Sequence, residues 1–73
     1  MITHIKIEEV DVNANRNTIY KLVQHLGQDL SLYQSKIVVM NRNSFALKNT
    51  KLSNSYLIDT FEKLGCEIKL IKS

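Results

Sequence analysis

The chain contains a single cysteine, Cys66, among its 73 residues. One thiol excludes an internal disulfide and any cysteine-based zinc site, and it suits a reducing compartment, so a cytoplasmic location and a packing role for Cys66 are expected. Glycine is almost as scarce: with only Gly27 and Gly65, a glycine-rich phosphate loop is excluded. No window approaches the roughly 20 consecutive apolar residues of a membrane span. The first residues alternate in polarity instead of forming the apolar run of a secretory signal, so no membrane partner is expected. Repeats, linkers and low-complexity stretches are also missing. What is present is a composition 44% apolar and 23% charged, which separates the chain from disordered ones and predicts folding as a single domain, residues 1–73, around one core.

The two histidines are the natural starting point for catalysis near neutral pH. His4 falls in a predicted strand and His25 in a predicted helix, with no HExxH pattern, no second metal ligand at helical spacing and no serine or cysteine nucleophile motif nearby. Glu8 and Glu9 point to opposite faces of a regular strand, which removes paired acid–base work. The expectation is therefore no enzyme, no metal and no cofactor. Charge is uneven along the chain. Residues 1–15 set Lys6 against Glu8, Glu9 and Asp11, whereas residues 16–51 set Arg16, Lys21, Lys36, Arg42, Lys48 and Lys51 against Asp29 alone. A basic middle segment favours an acidic partner or phosphate.

Apolar spacing predicts the elements. Ile2, Ile5, Ile7, Val10 and Val12 make a strand whose apolar phase slips after Ile7, which implies a bulge near Glu8 and Glu9. Ile19, Leu22, Val23, Leu26 and Leu30 predict a helix over residues 16–30, with Asn13, Asn15 and Asn17 as cap candidates and Gly27 as a site of close packing or an early end. Ile37, Val38, Val39 and Met40, a turn at residues 41–44, and then Phe45, Ala46, Leu47 and Lys48 read as a β-hairpin. Leu57, Ile58, Phe61 and Leu64 predict a second helix over residues 54–64, capped by Ser53 and closed by Gly65, and Cys66, Ile68 and Leu70 a last strand. The predicted order is β-α-β-β-α-β. It is an α/β (α+β) open-faced sandwich with a four-stranded antiparallel sheet and both helices on one face.

The junction at residues 12–18 is the one place where polar groups converge. Free backbone amides at a helix N-terminus attract anions, and Arg16 adds charge there, so a small anion is a candidate ligand. The plainer alternative is that the three asparagines cap the helix.

The element order, the length, and the strings Leu22-Val23-Gln24 and Phe45-Ala46-Leu47-Lys48 resemble HPr, the histidine phosphocarrier of the bacterial sugar phosphotransferase system. The resemblance covers nearly the whole chain. In that family the junction carries a phosphoacceptor histidine followed by Ala-Arg-Pro. Matching Leu22-Val23-Gln24 places Asn15 at the histidine, while matching Ala14 places Asn13 there and Asn15 at the arginine. Asparagine cannot take up and release a phosphoryl group as imidazole does, so the resemblance implies a member without carrier activity. The family's regulatory serine corresponds to Asn49 or to Ser53, depending on the anchor chosen. The sequence has no residues for the family's C-terminal helix, and self-association over that side is expected instead.

The function these features imply is a protein-binding, regulatory module that docks a phosphotransferase component or another acidic partner. Its surface is expected to consist of Asn13, Asn15, Arg16, Asn17 and Tyr20 from the first helix's start, with Lys48, Lys51, Ser53 and Ile58 around the second. An ACT-like ligand-sensing or oligomerising domain, which shares the element order, is the alternative. An RNA-binding sheet needs aromatics on central strands, and Phe45 is the only aromatic in a predicted strand.

Overall fold

The computed structural model describes residues 2–72, and the element order in it is β1 (Thr3–Val10), α1 (Arg16–Leu26), α2 (Leu32–Met40), β2 (Ser44–Ala46), α3 (Asn54–Lys63) and β3 (Cys66–Lys72). The sheet has three strands in the order β2-β1-β3, antiparallel throughout. This corrects the predicted four strands and two helices. The hairpin does not form: residues 37–40 are the second half of a helix, and β2 pairs with β1, Phe45 opposite Ile5.

The local cause lies just upstream of the β-branched run. Ser31 accepts a hydrogen bond from the Gln34 amide at 3.0 Å, and the Gln34 side chain accepts one from the Ser31 amide at 2.8 Å. This reciprocal cap satisfies two of the free donors at a helix start, and a strand could not reproduce it. Ser35 and Val39, one turn apart, are fully buried on the inner side of α2. Tertiary burial of that side outweighs the modest strand preference of Ile37, Val38 and Val39.

Other expectations are met or shortened. Between Ile7 and Glu9 the register with β3 shifts by one residue, which makes Glu8 the bulge. α1 ends at Leu26 and not at residue 30. Its cap, Gly27, is also a tight spot, because a Cβ there would lie 2.8 Å from the Val23 carbonyl oxygen and overlap the Leu30 side chain. Gly65 follows α3 at φ +80°, where side chains are disfavoured. The core is built from Ile5 and Ile7 of β1, Ile19, Tyr20, Val23 and Leu26 of α1, Val39 of α2, Phe45, Leu47, Leu57 and Phe61 of α3, and Cys66. His4, Lys6 and Glu8 alternate with the buried β1 residues and stay partly exposed on the opposite face, so the sheet remains open on one side. Among the described residues no helix is long and apolar enough to cross a membrane.

Candidate functional site

The expected docking residues fall into separate places. Asn13 lies in the β1–α1 turn with its amide donating to Asp11 Oδ1 at 3.1 Å, and Asn15 caps α1 by accepting from the Thr18 amide at 3.2 Å. Arg16 and Asn17 are exposed on the first helical turn. Ser53 caps α3, accepting from the Tyr56 amide at 3.1 Å, and the Asn49 side chain accepts from the Lys51 amide at 3.0 Å to hold the preceding loop. Lys48 borders a groove with Leu22, His25, Leu26, Leu52 and Tyr56, which involves the C-terminal half of α1 and not its start. Ile58 is 40% exposed and lines a second recess. That recess, about 430 Å³, is rimmed by Glu9, Asp11, Glu62 and Glu67. Lys48 and Ile58 therefore line different recesses.

Arg16 and Tyr20, one turn apart on α1, do meet something that sequence spacing did not reveal. They share a hollow of about 210 Å³ with Val10 at the end of β1, Val39 and Met40 at the end of α2, and Arg42 beyond it. Arg42 is placed there by the way α2 stops. The Asn43 amide reaches back to the Val38 carbonyl at 2.9 Å and the Arg42 amide to the Val39 carbonyl at 3.2 Å. This paired closure puts the residue between them in the left-handed region, here Arg42 at φ +52°. Tyr20 is only 9% exposed, so it belongs to the core as much as to the surface.

The outer side of α2 is the other feature that sequence reasoning missed. Tyr33, Ile37 and Met40 follow one another at i, i+4 and i+7, which aligns them on one face, and Tyr33 and Met40 are 71% and 63% exposed. Lys36 sits within the same stripe. Neither α1 nor α2 contains an aspartate or glutamate. Once α2 is recognised as a helix, this stripe can be read from the sequence; the Ser31–Gln34 spacing was the signal for it.

Among the described residues no three His, Cys, Asp or Glu side chains come together to hold a metal ion. Cys66 is buried, and desolvation pushes its thiol up to about 11, with a smaller opposing pull from Arg42. It is therefore protonated and unreactive near neutral pH. Compared with family models, curated proteins and solved structures, the chain matches none of them.

Proposed function

We propose that the domain is a protein-binding module whose α1–α2 pair docks an amphipathic, carboxylate-bearing segment of a partner. The observation that carries this reading is an apolar stripe, Tyr33, Ile37 and Met40, exposed on a helix pair that has Arg16, Lys21 and Lys36 and no carboxylate. Exposed aromatic and methionine side chains supply apolar contact area at low entropic cost. Surrounding positive charge selects acidic partners and speeds encounter. Docking through this pair keeps Arg16, Asn17 and Tyr20 in the binding region and leaves Ser53 and Asn15 as helix caps. The four-stranded order common to the phosphocarrier and ligand-sensing likenesses does not form, and docking through the helices depends on neither likeness.

Site-specific photo-crosslinking in cells tests the proposal. A photoreactive phenylalanine analogue is placed at Tyr33 in one variant and at Glu67, on β3 beside the acidic recess, in another. The expected result is an adduct at position 33 only, lost when Ile37→Ser and Met40→Ser are added, and joined to a partner segment that combines apolar residues with Asp or Glu. Equal labelling at both positions, or attachment to a basic segment, would count against it. Adducts with a second copy of the chain would reassign the face to self-association.

A further inference from the structure

The hollow between α1 and the end of α2 is lined by two exposed arginines, neither of which has a counterion among the described residues. Arg16 has neither a hydrogen bond nor an ion pair among the described residues, and Arg42 reaches only the Met40 carbonyl, at a marginal 3.5 Å. Lys6 and Glu8, on the open face of the sheet, form the ion pair seen in the described residues, at 3.8 Å. Two like charges that share a recess repel each other unless an anion offsets them.

A second observation is independent of charge. Tyr20 also lines the hollow, no described residue hydrogen-bonds its hydroxyl, and no buried side-chain oxygen among the described residues lacks a partner, so this hydroxyl is open to solvent. A third donor is therefore left unused beside the two arginines. Nearby, the Asn15 side chain and carbonyl satisfy the Thr18 and Ile19 amides, and the Arg16 and Asn17 amides at the front of α1 remain available to an anion.

From these groups we infer that the hollow is a receptor for one protein-borne carboxylate, its two oxygens taken by Arg16 and Arg42 and by the Tyr20 hydroxyl. Size argues for a single side chain. At about 210 Å³ the hollow is below the roughly 300–1,000 Å³ of sites that hold a whole small molecule. Its floor argues for a carboxylate on an aliphatic stem. Val10, Val39 and Met40 offer apolar contact and no donor, which suits methylene groups entering beneath a charged head. A phosphate has no aliphatic stem to set against this floor. The inference deepens the proposed docking of an acidic segment and rests on it for the source of the carboxylate, but the hollow itself is testable without any partner.

The test is a titration of the isotope-labelled full chain with sodium butyrate, a carboxylate on a short aliphatic stem, followed by amide NMR shifts. Sodium chloride at matched ionic strength and inorganic phosphate are run in parallel. The expected result is saturable butyrate shifts centred on Arg16, Asn17, Tyr20 and Arg42. Arg16→Gln combined with Arg42→Gln should weaken binding at least about tenfold, the range for losing charge-assisted hydrogen bonds. Tyr20→Phe keeps the packed ring and should weaken it by less. Shifts equal to those with chloride, or unchanged in the double variant, would overturn the site, and tighter binding of phosphate would overturn the carboxylate assignment. A failed titration beside a successful Tyr33 crosslink rejects this receptor alone, and the reverse pattern rejects the docking face alone.

Discussion

Arg42 occupies a backbone position that glycine fills at lower cost. A non-glycine residue in the left-handed region is disfavoured by about 1 kcal/mol, and the loss is tolerated because the α2 terminus holds it there with two backbone hydrogen bonds. Arg42→Gly should therefore stabilise the fold by about 1 kcal/mol, or roughly 4–8 °C in Tm for a domain of this size. The same change removes one of the two guanidinium groups from the hollow. Thermal melting and the butyrate titration run on this variant should move in opposite directions. A variant that melts lower, or that binds as well as the parent, would show that Arg42 is kept for packing. Ile58 and Tyr20 carry the residue-scale lesson about sequence reading. Ile58 falls at apolar helical spacing yet is 40% exposed, whereas Tyr20, expected on the docking surface, is only 9% exposed. Spacing identifies a stripe, and the edge of that stripe is decided by which neighbouring elements arrive.

Among the elements, α2 decides how the molecule is read. Its strand-like run of Ile37, Val38, Val39 and Met40 is apolar all round the helix, so no polar face advertises the helical period. The informative residues were the polar ones before it, where Ser31 and Gln34 stand three apart and form the reciprocal cap. Ser31→Ala removes the side-chain half of that cap and should cost about 1 kcal/mol. It should also lower helicity by circular dichroism, because residues 37–40 lose part of what holds them out of an extended conformation. An unchanged melting curve would mean that burial of Ser35 and Val39 alone sets the helix. The other elements were legible for a plain reason. β1, α3 and β3 each bury one regular face and end at a bulge, a serine cap or a left-handed glycine, and each of those marks is local in sequence. The hollow was not legible, because Arg16 and Arg42 are joined only by the packing of α2.

At the scale of the whole molecule, charge is segregated by architecture. α1 and α2 carry no carboxylate, while Glu9, Asp11, Glu62 and Glu67 gather around the recess at the β1–β3 end. An extended acidic probe should therefore bind on one side only. With poly-L-glutamate, amide shifts are expected at Arg16, Lys21, Lys36 and Arg42. They should vanish by about 0.5 M salt, where the screening length falls to a few ångströms. Shifts centred on Lys63, Lys69 and Lys72 instead would place the electropositive face elsewhere. The order of the sheet has a consequence for how the chain is made. β1 is the central strand, and its longest partner is β3, with Ile5 opposite Leu70. During synthesis at about 5–20 residues per second, Ile5 and Ile7 wait several seconds before the residues that cover one of their edges exist. Such distant pairing is slow to form. Until β3 emerges, β1 is an unprotected apolar strand, and the nascent chain is at greatest risk of sticking to its neighbours on the polysome.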